Sequence, residues 1–95
     1  MAHIDLTRPH TATPEKLREA VDRVVVNADL YGLFSEWKTP SRLLLVGKGV
    51  TAWVELGAEA LTVKVTLPWL FRLMRGTIAS EVADKMRAAV TEAEA

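Results

Sequence analysis

Leu61-Thr62-Val63-Lys64-Val65-Thr66-Leu67 decides the fold class. The alternation is strict, so Leu61, Val63, Val65 and Leu67 share one face while Thr62, Lys64 and Thr66 point to the other. A strand of this kind belongs to an antiparallel sheet with one wetted face and one face that needs a cover. The residues that follow supply the cover. Pro68-Trp69-Leu70-Phe71-Arg72-Leu73-Met74-Arg75-Gly76 is apolar apart from two arginines. Beyond it, Ile78, Val82, Met86, Ala89, Val90 and Ala93 form one stripe of an amphipathic helix. Extending that helix backward in phase would set Arg72 and Arg75 inside the stripe, and burying unpaired guanidinium groups is too costly. The phase therefore breaks near Gly76, and Trp69–Met74 reads as a separate helical turn.

Upstream, Leu33 to Lys38, Arg42 to Val46 and Val50 to Leu56 read as three further strands. Thr39-Pro40-Ser41, Gly47-Lys48-Gly49 and Gly57-Ala58-Glu59-Ala60 are the turns between neighbours. These short loops make the strands an antiparallel meander. Thr13-Pro14-Glu15 starts a helix: Thr13 caps, Pro14 fits the first helical position and Glu15 suits the positive end. Leu17, Ala20, Val21, Val24, Val25, Ala28 and Tyr31 fall on its apolar face, and Gly32 closes it. Before it, His3 to Thr7 alternates as a short strand that Pro9 should end. The expected architecture is α+β, in the order strand, helix, four antiparallel strands, short helical turn, long helix. Both helices belong on one sheet face. The facing side chains, among them Leu56, Leu61, Val63, Val65, Ile78, Val82 and Met86, should fill the core and leave no void of roughly 300 Å³ or more.

Ninety-five residues make one domain, 1–95, with no repeat or linker. Apolar residues at 49% suit a globular chain and exclude a disordered one. The formal net charge is zero, which argues against nucleic acid as a partner. Without cysteine, disulfides and thiolate metal sites are impossible. No apolar run nears the ~20 residues that span a bilayer, and the first residues lack the apolar centre of a signal peptide. A cytoplasmic protein without a transmembrane segment is the expectation.

No residue pattern marks a catalytic centre, a cofactor or a metal. His3 and His10 are two surface histidines by expectation, and a metal site needs three or four converging ligands. Gly47-Lys48-Gly49 lacks the upstream glycine and the following hydroxyl of a phosphate loop and reads as a hairpin turn. Glu36, Glu55, Glu59 and Glu81 are scattered, with no pair spaced for acid–base work. The chain is therefore expected not to be an enzyme.

Contact residues are the better candidates. Trp37 shares a face with Leu33 and reads as core. Trp53 alternates with Val54, so it stands on the outer sheet face with Thr51 and Glu55. Aromatic residues there favour interfaces, and half-buried packing against a neighbouring strand's side chain is the commoner alternative. With Val26 and Leu30 on the far side of the first helix, Trp53 lacks an intrachain partner in this reading, which suggests a homodimer. In the turn after the last strand, Leu70, Phe71 and Met74 are expected to close the core. Trp69 and Leu73 then lean outward beside Arg72 and Arg75, a combination suited to an apolar surface with an anionic coat.

The order and spacing of several short elements resemble one family, the small polyhydroxyalkanoic acid system proteins encoded near bacterial polymer-granule genes. They are Ile4 with Arg8-Pro9-His10, Trp37, Gly49-Val50, Leu61 to Leu67, then Leu70, Leu73, Gly76, Ile78 and Val82. The resemblance runs from about residue 3 to 90. It departs where the family tends to glycine, at Thr39-Pro40 and at Ala52. It implies association with storage-polymer granules or their proteins as partners, a granule-associated location in the cytoplasm, and no catalytic residues. The layout also resembles a reduced helix-grip domain, whose larger members bind lipids between sheet and helix. A small lipid- or acyl-binding module is the second functional reading.

Overall fold

The computed structural model describes residues 2–26, 33–47 and 49–94, and for Ala2, Val26, Trp69, Leu70 and Arg72 the backbone only. The elements are β1 (Ala2–Pro9), α1 (Pro14–Val26), β2 (Phe34–Thr39), β3 (Arg42–Gly47), β4 (Val50–Leu56), β5 (Ala60–Leu67), a 3₁₀ helix (Trp69–Met74) and α2 (Arg75–Glu94). This is the α+β order expected from the sequence. The proposed end of the first helix at Ala28, Tyr31 and Gly32, and the paired side chains of Val26 and Leu30, lie outside the described residues.

The five strands form one antiparallel sheet in the order β1-β5-β4-β3-β2. Strands β2 to β5 are the meander. β1 adds to its far side, pairing with β5 along the full run from Ala2↔Leu67 to Pro9↔Ala60. Pro9 ends the strand as expected. It sits at the last position of an edge strand, where a missing N–H need not break a ladder. With β1 and β2 at opposite edges, α1 crosses the whole sheet to join them.

Register fixes the two faces. Ile4↔Val65↔Ala52↔Leu45 and Leu6↔Val63↔Val54↔Leu43 run straight across four strands on the inner face. These residues join one core cluster with Leu17, Ala20 and Val21 of α1 and Met86, Ala89, Val90 and Ala93 of α2. Both helices thus cover the same face. Alanines at 20, 89 and 93 keep side chains short where the helices meet, so their backbones approach closely. Trp37 ties α1 to β2: its indole N–H donates to the Asp22 carboxylate at 2.7 Å, and the Arg18 guanidinium lies 4.6 Å from its ring centroid.

The two halves of α2 differ. Its C-terminal half buries Met86, Ala89, Val90 and Ala93, whereas Ile78, Ala79 and Val82 are only half-buried. Beneath the first half the sheet offers Ala52, Val54, Val63 and Val65. These side chains are short and leave a cavity of about 240 Å³ between sheet and helices. Packing here is looser than the filled core expected from the sequence, while the space stays within the expected limit of roughly 300 Å³. Ala52 fills little of the space, and valine on a strand reaches less far than leucine.

Candidate functional site

The strand registers place one set of features at a single end of the sheet. Phe34 pairs with Val46, Gly47 with Val50, Thr51 with Thr66, and Leu67 with Ala2. The β3–β4 turn and the exit of β5 into the 3₁₀ helix therefore lie side by side. Gly49 closes that turn with φ of +81°, and a Cβ there would come within 3.0 Å of the Pro68 ring. Both the left-handed backbone and the close approach require glycine.

From this end the 3₁₀ helix projects. It ends at Met74, and α2 begins at Arg75, one residue before the break expected at Gly76. Two helical segments out of phase allow Phe71 to pack on the core while Leu73 is 94% exposed. Met74 is 50% exposed and does not close the core as the sequence suggested. Rotation by roughly 120° per residue in a 3₁₀ helix turns Leu73 off the Phe71 side, and Met74 is the last residue of that helix. Arg75 is exposed next to them. The side chains of Trp69 and Arg72 lie outside the described residues.

Trp53 stands on the outer sheet face as its alternation indicates, opposite Leu44 and Lys64. It is not without an intrachain partner. The Arg42 guanidinium covers its ring at 4.5 Å from the centroid, and the tryptophan is half-buried. Glu55 holds this arginine from the facing position at 3.5 Å and lies 4.0 Å from the Lys64 ammonium. The premise that linked Trp53 to a homodimer is thereby removed. The exposed apolar residues of the outer face are instead Phe34, 79% exposed, and Val46, both at the β2–β3 edge. Sequence reading missed Phe34, because a phenylalanine opening a strand ordinarily packs inward.

His10 was expected at the surface and is buried instead. It caps the β4–β5 turn. Its backbone N–H donates to the Glu59 carbonyl at 2.9 Å and its Nε2–H to the Gly57 carbonyl at 2.8 Å. That tautomer leaves Nδ1 as a buried acceptor without a hydrogen-bond partner. Next to it, the Thr11 N–H and hydroxyl both donate to the Glu94 carboxylate, at 2.8 and 2.9 Å. The backbone bond first and the hydroxyl second hold Glu94 below the ordinary glutamate value, with smaller help from His10 and Arg8. His10, Thr11 and Glu94 thus fasten the β1–α1 connection to the turn on one side and to the end of α2 on the other. His3 sits apart, its ring 3.4 Å from the Thr66 hydroxyl.

Among the described residues, no three His, Asp or Glu side chains gather as a metal site would require. No described helix is long and apolar enough to cross a membrane. What the arrangement offers chemically is apolar contact: exposed side chains around the 3₁₀ helix, and an apolar cavity between the sheet and the helices.

A family model described as "Putative polyhydroxyalkanoic acid system protein" matches residues 4–90, nearly the whole chain. No curated protein matches it.

Proposed function

This chain belongs to the polyhydroxyalkanoic acid system family, and we propose that within that system it is a non-enzymatic accessory protein. It contacts the apolar surface of the storage polymer through the 3₁₀ helix and the start of α2. One observation carries the reading. Leu73 stands 94% exposed on a 3₁₀ helix whose Phe71 packs against the core. Met74 and Arg75 extend the same exposed stretch. Leucine and methionine held out in this way gain by entering an apolar surface, by roughly 1–2 kcal/mol each from area burial. An adjacent arginine adds attraction to an anionic coat and weakens with salt.

The test is co-sedimentation with isolated polymer granules. Leu73→Ser with Met74→Ser should lower the bound fraction at least about tenfold, the sum of two such burials. Arg75→Gln should leave binding at high salt unchanged and lower it at low salt. The circular dichroism and melting temperature of both variants should match the wild type, since the replaced side chains are exposed. Wild-type binding by a folded double variant would place the contact elsewhere.

A further inference from the structure

The cavity behind α2 stands on observations separate from the exposed 3₁₀ helix. It measures about 240 Å³ and lies between the inner sheet face and the first half of α2. Leu45, Val54 and Val63 form part of its floor and Val82 part of its roof. The cavity is partly open to solvent, and an apolar hollow of this size is uncommon between sheet and helix, because side chains in a domain core normally interdigitate until little larger than a water molecule is left. A cavity of about 150 Å³ with an aliphatic and aromatic lining stays dry and takes a six-carbon ring. By that scale about 240 Å³ accepts on the order of eight to ten carbon atoms.

Among the described residues, charge enters the lining where α2 contributes Glu81 and Lys85, one turn apart and both exposed. They mark the mouth. Lysine places its methylene stem along the apolar wall and its ammonium in water. A carboxylate at the mouth therefore meets Lys85, while an aliphatic tail enters the cavity. Glu81 on the same rim disfavours a head with two or more negative charges, such as a phosphomonoester. We propose that this cavity binds one acyl chain of about six to ten carbons, with its carboxylate at Lys85 and its tail over Val54 and Val63. The site is distinct from the surface contact proposed above: Leu73 takes no part in it, and loss of either leaves the other in place.

The experiment uses the full chain and the fatty acids butyrate, octanoate and palmitate. Calorimetry should show octanoate binding one to one, with a negative heat-capacity change from apolar burial. Butyrate should bind at least about tenfold more weakly, having lost several buried methylenes. Palmitate should gain nothing over octanoate, since its extra length exceeds the cavity. Methyl resonances of Val54, Val63 and Ile78 should shift on octanoate addition, and those of Val90 should not. Val82→Phe, which fills the cavity from the helix side, should lose octanoate binding while its melting temperature is kept or raised. Lys85→Gln should weaken octanoate and leave neutral octanol unaffected. The proposal fails if octanoate does not bind at millimolar concentration, if the shifted methyls lie elsewhere, or if a folded Val82→Phe protein binds it as the wild type does. Equal losses of octanoate and octanol in Lys85→Gln would overturn the placement of the carboxylate.

Discussion

Two glycines of this chain make opposite predictions. Gly49 has φ of +81° and faces the Pro68 ring at 3.0 Å from where a Cβ would stand. Gly49→Ala should therefore destabilise, by about 1–2 kcal/mol from the left-handed backbone alone. Gly76 lies in the first turn of α2 with open space around it. Gly76→Ala should stabilise, by about 0.5–1 kcal/mol. Urea unfolding of the two variants reads both signs, and a loss of stability in Gly76→Ala would show that its backbone is not an ordinary helical one. His10 makes a third case. Removing its ring in His10→Ala empties a buried position and unpairs the Gly57 carbonyl, which should cost about 1–3 kcal/mol. None of this is visible in the local pattern of Arg8-Pro9-His10. The partner turn is 47 residues away, and no periodicity links a histidine to a distant carbonyl.

Elements are joined by a few polar clasps, and one of them depends on pH. Glu94 ties the end of α2 to Thr11, and its carboxyl is held below the ordinary glutamate value in the folded chain. A depressed carboxyl stabilises the fold above its unfolded value, and that stability disappears as pH falls through the folded one. Acid titration of the melting temperature should show this loss starting in the usual glutamate range and reaching completion below it. Glu94→Gln should be less stable than the wild type at neutral pH, and the difference should shrink toward zero in acid. A constant difference across the titration would mean that the clasp has no ionic part. At the other helix, Trp37→Phe removes the indole N–H that reaches Asp22. A loss of about 0.5–1.5 kcal/mol is expected, in the range of one net hydrogen bond. β1, β4 and β5 were legible residue by residue, because alternation states both the element and its buried face, whereas the unbroken run Leu43 to Val46 marks a strand without marking its face. The boundary between the 3₁₀ helix and α2 was legible to one residue, since two arginines in an apolar stripe cannot be buried.

Across the whole molecule the inner face is well packed toward the C-terminal half of α2 and hollow toward its first half. Large-to-small changes should report this division. Leu61→Ala, at a position 1% exposed, should cost about 2–5 kcal/mol. Val82→Ala, beside an existing void, removes fewer contacts and should cost well under that. Equal losses at the two sites would mean that the cavity is closed in solution. The same division sets the candidate sites. The exposed 3₁₀ helix and the cavity both belong to the end of the molecule where the core is thinnest.

The sequence by itself determined the element order, the antiparallel meander, the buried faces of β1, β4 and β5 and the coverage of one face by both helices. These follow from local periodicity, turn chemistry and the cost of burying charge, all of which act between near neighbours. Tertiary structure alone decided that β1 pairs with β5, that Arg42 covers Trp53, that His10 is buried, and that short side chains from two strands leave a cavity under α2. Each of these depends on residues far apart in the chain meeting at a particular register and helix height. A pattern read along one segment carries no measure of the distance to the next.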